Sequence, residues 1–276
     1  MSRNGSVQPR APEPMTTWDA TRAAAFFDAY GEREWTRFED GRTPAPSIAT
    51  HVRMLERYVR AGDRVLDAGS GPGRFAVELL RLGAHVTALD ISPVQIALLR
   101  ERAPDVDAVV GDVSDLSRFS DGSFDVTVCY GGPLSYLLDR AERAVAELAR
   151  VTRRGGHVVV SVMSLVGAAV HYAPMVVELA RRDGLEPSLE ILRTGVLSDR
   201  EGYGHLPLRL YRWNEVEALL ARHGEVVDGA PAGVMPHLPV DEPELKELLA
   251  AFDEALADDP GSRSCGEHII GVLRVA

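Results

Sequence analysis

The chain is poor in cysteine: Cys129 and Cys265 are its only two in 276 residues, far apart and in no metal-like spacing. A disulfide scaffold and a thiolate zinc site are thereby set aside, no metal is expected, and a reducing cytoplasm is the expected home. Positive charge is scarce as well. Lys and Arg number 30 against 41 Asp and Glu, a formal net charge of −11, and Lys246 is the single lysine. Proteins that track nucleic acid need a basic footprint, so that partner is not expected. No apolar run approaches the roughly 18 residues that cross a bilayer, so no membrane partner is expected either. Residues 1–14 carry Arg3 and Arg10 but no apolar core, which reads as a flexible arm and not a secretory signal. What is present, 45% apolar and 26% charged residues, suits a globular chain of one large domain or a domain plus a lid.

Periodicity divides the chain. Residues 15–60 read as helical, with Phe26, Phe27, Tyr30, Trp35 and Phe38 on apolar positions, a break over 41–46, and a second run carrying Ile48, Met54, Leu55 and Tyr58. Strand and helix then alternate: strands at 64–67, 85–90, 106–110, 124–129 and 157–162, helices at 74–82, 93–102 and 139–152. Pro93 suits a first helical turn. This pitch predicts right-handed crossovers and a mostly parallel sheet covered on both faces. From 164 to 210 the alternation stops, leaving one helix over 166–182 and a segment with Gly195, Gly202, Gly204 and Pro207. The expectation is an insertion that either closes over a site or supplies the face of a homodimer. Helices at 213–223, with Asn214 as cap, and 244–256, and strands at 225–228 and 268–275, complete the pattern.

The joint between the first strand and its helix is Val65-Leu-Asp67-Ala-Gly69-Ser-Gly71-Pro-Gly73-Arg-Phe75. Glycines there let the backbone turn sharply and approach a ligand at the carboxyl end of the sheet. A dinucleotide fingerprint would place its third glycine where Arg74 stands, and a phosphate loop would end in Gly-Lys-Ser/Thr, with no lysine near. Both phosphate readings lose. Asp90 ends the second strand about twenty residues on, where a carboxylate can accept hydrogen bonds from both hydroxyls of a ribose.

Asp67-x-Gly69-x-Gly71-x-Gly73 resembles motif I of the class I methyltransferases that use S-adenosylmethionine. Three further segments match in order: Asp90-Ile91, Gly111-Asp112-Val113, and the strand 124–129 with 148–156 leading into the fifth strand. The resemblance covers 60–163 plus the two late strands. It implies a Rossmann-like, seven-stranded, mostly parallel α/β sheet with helices on both faces. It also implies S-adenosylmethionine as cofactor and S-adenosylhomocysteine as product. Carried over residue by residue, Gly69, Ser70, Gly71 and Gly73 would pack on the cofactor and Asp67 would orient that loop. Asp90 would hold the ribose, Ile91 beside it would cover one adenine face, Asp112 would meet the adenine amino group, and Gln95 and Val113 would also bind the cofactor. Cys129 and Tyr130 would line the methionine end by their backbone, and Tyr30 would reach the carboxylate. Plain alternatives stand beside these: Asp90 as a helix cap, Asp112 as a turn residue, Cys129 as a small buried apolar group.

Methyl transfer from a sulfonium is an in-line displacement, so the protein must align a nucleophile and exclude water, and needs a base only if the nucleophile loses a proton. After the fourth strand, where amino and adenine-N-methyltransferases carry Asn/Asp-Pro-Pro-Tyr, this chain has Tyr130-Gly131-Gly132-Pro133-Leu134. That departure turns the expectation toward a small, aromatic or largely apolar metabolite of bacterial specialised metabolism. Trp35, Tyr130, Gly131, His171, Tyr172 and Arg209 are the expected acceptor contacts; Tyr30, His171 and His205 are the candidates for catalysis, with His237 behind them and His268 read as structural. The bland reading makes each of these histidines an ordinary surface or core residue. Competing functions are RNA or protein methylation on the same fold, cofactor binding without turnover, and a nicotinamide-dependent oxidoreductase.

Overall fold

The computed structural model describes residues 17–37, 45–198, 205–235 and 242–276. Residues 1–14, Phe38, positions 41–44 of the expected break, Gly202, Gly204 and His237 lie outside these. The helices that precede the sheet are α1 (Ala20–Tyr30), the single turn α2 (Arg33–Thr36) and α3 (Ala45–Tyr58). The alternating part follows as β1 (Arg64–Ala68), α4 (Arg74–Arg81), β2 (His85–Asp90), α5 (Pro93–Arg102), β3 (Asp107–Val110) and β4 (Phe124–Cys129). After β4 come the short α6 (Pro133–Tyr136), α7 (Ala141–Val151) and β5 (Thr152–Met163).

Among the described residues, seven strands form one sheet in the order β3-β2-β1-β4-β5, then β9 (His268–Val275), then β8 (Gly224–Ala232). The first five are mutually parallel, and β9 runs antiparallel to both of its neighbours. Strand order reverses between β1 and β4, the place where open α/β sheets leave a crevice at their carboxyl ends. Both faces are covered. Met54 and Leu55 of α3, Phe75 and Leu79 of α4, and Ile96 and Leu99 of α5 pack on one face; Ala144, Val145 and Leu148 of α7 pack on the other, with Val216 and Leu220 of α11 (Trp213–Leu220). Burial on both faces explains why 269–273 reads as an apolar run without alternation.

Several expectations are corrected in detail. The insertion holds three helices, α8 (Leu165–His171), α9 (Ala173–Asp183) and α10 (Leu185–Thr194), where one was expected; Pro174 and Gly184 mark the two breaks. A two-stranded pair follows, β6 (Val196–Leu197) with β7 (Leu208–Arg209). Arg212, not Asn214, is the N-cap of α11, because the Glu215 side chain turns back to accept from the Arg212 amide at 2.8 Å. Gly155 and Gly156 lie inside β5, where a Cβ on Gly156 would stand 2.4 Å from the Asp125 carbonyl. The last helix, α12 (Pro243–Ala257), packs against α3 and β8. No helix among the described residues is long and apolar enough to cross a membrane.

Candidate active site

A cleft with about 1150 Å³ of open space, part of it at a solvent-facing mouth, opens over the carboxyl ends of β1, β2, β3 and β4. Its first end is made by the glycine loop. Gly69, Gly71 and Gly73 all have positive φ (80°, 52° and 94°), a region that side-chain-bearing residues enter at a cost. Space forbids a side chain as well at two of them: a Cβ on Gly69 would lie 2.4 Å from Pro133 Cγ, and one on Gly73 2.9 Å from Leu99 Cγ. The loop therefore presents bare backbone to the cleft at Gly69 and Gly71, while Gly73 spends its lack of a side chain on α5.

Asp90 ties that loop to the second strand. Its carboxylate accepts from the Gly71 amide at 2.8 Å and the Ser92 amide at 2.9 Å. Ser92, in turn, caps α5 by accepting from the Gln95 amide at 3.1 Å, so the capping role belongs to Ser92. Burial pushes Asp90 up to about 6, against the pull of its two amide donors. Behind the loop, Asp67 is buried and pushed up to about 7, first by desolvation and then by the charge of Asp90. Its Oδ2 has no hydrogen-bond partner among the described residues. On the third strand's loop, Asp112 accepts from the Ser114 amide and from the Trp18 indole N–H, both at 2.7 Å. Trp18, which sequence reasoning passed over, also lines the cleft.

Of the residues expected at the site, Gly69, Ser70, Gly71, Asp90, Ile91, Gln95, Asp112, Val113, Tyr130 and Gly131 line this one cleft. Gln95 has a structural duty too: its side-chain amide donates to the carbonyls of Phe27 and Gly31, each at 3.0 Å, binding α1 to α5. Asp67, Gly73 and Cys129 sit behind the wall, and burial pushes the Cys129 thiol well above the usual range.

The other expected contacts are not among the residues that line the cleft. Trp35 has the guanidinium groups of Arg74 and Arg102 over its ring, 4.6 and 4.5 Å from the centroid, and its carbonyl accepts from Arg74. Tyr30 stacks on Phe26 with Arg33 over its ring at 4.8 Å; the α1 aromatic that reaches the cleft is Phe27. His171 ends α8 outside the lining. Tyr172 donates its hydroxyl to Glu267 at 2.5 Å, His205 Nδ1 lies 2.6 Å from the Leu206 carbonyl, and Arg209 pairs with Glu215 at 2.8 Å. The insertion reaches the site indirectly: Leu165, Leu208 and Leu210 pack against Tyr136 and Met163, which do line it.

The second end of the cleft holds residues the sequence did not single out. Phe27, Ile48, Phe75, Tyr136, Leu137 and Met163 make its apolar wall. Glu34 and Arg37, paired at 2.8 Å, also line the cleft, Glu34 close to Gly71 of the glycine loop, and burial raises the Glu34 carboxyl against the pull of Arg37. His51 and His268 complete it, 2% and 8% exposed. His268 was expected to be structural, yet it borders the cleft. For His51 a signal existed: it sits one turn after Ser47, on the apolar face of α3 with Ile48, Met54 and Leu55.

The glycine loop, the strand-end carboxylate and the acidic third loop, in this sheet order, define a class I methyltransferase fold. Residues 65–156 match the methyltransferase domain family, and this segment is a methyltransferase domain. The chain is 36% identical over 172 residues to a demethylmenaquinone methyltransferase of Beutenbergia cavernae, covering 60% of this chain and 66% of that one. It is also 36% identical over 163 residues to a ubiquinone biosynthesis O-methyltransferase of Xanthomonas oryzae, covering 56% and 66%. The match thus spans just under two thirds of each of these relatives. Among solved structures, the Burkholderia thailandensis 1,6-didemethyltoxoflavin-N1-methyltransferase, with 1,6-didemethyltoxoflavin and S-adenosylhomocysteine bound, superposes with a TM-score of 0.56. That alignment has 19% identity and covers 96% of this chain and 94% of that one.

Proposed function

We propose that the protein transfers the methyl group of S-adenosylmethionine to a small, largely apolar aromatic metabolite. One observation carries this reading: a single cleft joins a bare-backbone loop and two strand-end carboxylates to an apolar chamber. The residues present fit the cofactor. Gly69 and Gly71 form a cradle that a Cβ would disturb. Asp90 presents a buried carboxylate, a partner for a diol. Asp112 adds an acceptor at the third loop.

When bound, the cofactor supplies an electrophilic methyl group; the chain's own work is alignment and exclusion of water. Phe27, Ile48, Tyr136 and Met163 would hold a flat apolar acceptor, and the insertion packed behind Tyr136 and Met163 would close that side. In this reading residues 15–60 act as an N-terminal lid, 61–163 as the cofactor core, 164–210 as a substrate-covering insertion, and 211–276 complete the sheet. The names of the relatives, which concern quinones, support a ring-shaped acceptor. The net charge of −11 supports a metabolite over nucleic acid. Incubation with methyl-labelled S-adenosylmethionine and a metabolite extract, followed by mass spectrometry, tests the proposal. Label should appear in a small aromatic product; label found only in protein or RNA contradicts it.

A further inference from the structure

Resting on that reading, we propose that the acceptor attacks the methyl group through a hydroxyl oxygen on its ring, and that His51 Nε2 receives the hydroxyl proton. The tautomer is dictated by a neighbour. His51 Nδ1 lies 2.7 Å from the Ser47 carbonyl, which can only accept, so Nδ1 carries the hydrogen and Nε2 keeps its lone pair. Nε2 is buried and has no partner among the described residues, an expensive state for a polar atom unless a ligand supplies the donor.

The ring cannot swing to find another partner. Phe75, Tyr130 and His268 pack around it, with ring centroids 5.3, 4.7 and 5.6 Å away. His268, also without hydrogen-bond partners at either nitrogen among the described residues, gives the acceptor a second hydrogen-bonding group at the same end of the cleft. Burial holds both imidazoles at about 3, hence neutral in any ordinary buffer.

So weak a base suffices, because a hydroxyl oxygen becomes a strong acid as it gains a methyl group. His51 takes the proton while an oxygen lone pair forms the O–CH3 bond and the S–CH3 bonding pair remains on sulfur. The proton passes to water as the methyl ether departs.

The test uses the full chain saturated with S-adenosylhomocysteine and three probes: 2-naphthol, 2-methoxynaphthalene and 2-naphthylamine. Calorimetry should show 2-naphthol binding at least tenfold tighter than its methyl ether. Nitrogen NMR on histidine-labelled protein should show His51 as the Nδ1–H tautomer, with Nε2 shifting on addition of 2-naphthol and not of the ether. With methyl-labelled S-adenosylmethionine, 2-naphthol should be methylated on oxygen in preference to the amine on nitrogen. His51→Gln, which keeps a polar group but cannot take the proton, should retain 2-naphthol affinity within about threefold and lose at least 30-fold in kcat. No hydroxyl preference, methylation of the amine alone or of no probe, the opposite tautomer, or an unchanged kcat in His51→Gln overturns the proposal. If wild type fails to bind S-adenosylhomocysteine at all, the methyltransferase reading itself falls; intact binding of that product confines the failure to His51.

Discussion

The two ends of the cleft are built differently. The proposed cofactor end comes from one continuous stretch, 67–113, whose lining groups stand mostly at the ends of parallel strands and in the loops that follow them. The proposed acceptor end is gathered from Phe27, Ile48 and His51 ahead of the sheet, Tyr136 and Met163 within its sequence, and His268 in the closing strand. Sheet geometry alone positions the first; the second depends on how α1, α3 and the insertion pack. A substitution at the cofactor end should therefore act through backbone and charge, and one at the acceptor end through side-chain chemistry.

The largest effect is expected at Gly69. Gly69→Ala sets a Cβ against Pro133 and forces a left-handed backbone on alanine; strain of about 1–2 kcal/mol from conformation and about 1–3 kcal/mol from overpacking should add. Denaturant unfolding should show this loss, and binding of S-adenosylhomocysteine should vanish. A well-folded variant with normal binding would mean that the loop does not cradle the cofactor.

Next comes the buried carboxylate pair. Asp67 at about 7 and Asp90 at about 6 bind protons in the folded chain that an unfolded chain, near 3.8, has already released. Stability from this pair is thus fully present below about pH 4 and is lost as pH rises through 6 to 7. Unfolding midpoints should fall between pH 5 and pH 8, and Asp67→Asn should flatten that fall. An equal slope in the variant would show that Asp67 does not feel its burial.

A smaller effect belongs to the bond that links Trp18 to the loop after the third strand. Trp18→Phe keeps the ring but removes the donor to Asp112. With one hydrogen bond worth about 0.5–1.5 kcal/mol, affinity for S-adenosylhomocysteine should drop about two- to tenfold. No change would detach Trp18 from the adenine end.

This asymmetry also explains what the sequence could disclose. The fold was legible because buried parallel strands and glycine loops leave local marks, and the same marks led to Gly69, Asp90 and Asp112. The acceptor end left few. Tyr30 and Trp35 have the right chemistry for a pocket, but Arg33, Arg74 and Arg102 draw their rings elsewhere. His171 looked like a base on a covering helix, whereas the histidines that meet the cleft lie 217 positions apart in sequence and come together only when β9 inserts between β5 and β8. Nothing in local spacing announces such a pairing.

The most direct test of the account is calorimetric titration of S-adenosylhomocysteine into wild type and Asp90→Ala. Asp90 accepts one hydrogen bond from the glycine loop at Gly71 and one from the Ser92 amide, and would offer its carboxylate to the ribose. At about 1.5–3 kcal/mol for each bond to a charged group, its removal should weaken binding by about 100-fold or more. One site per chain in wild type and that loss in the variant is the predicted result. No binding to wild type, or equal affinity in both, would contradict it.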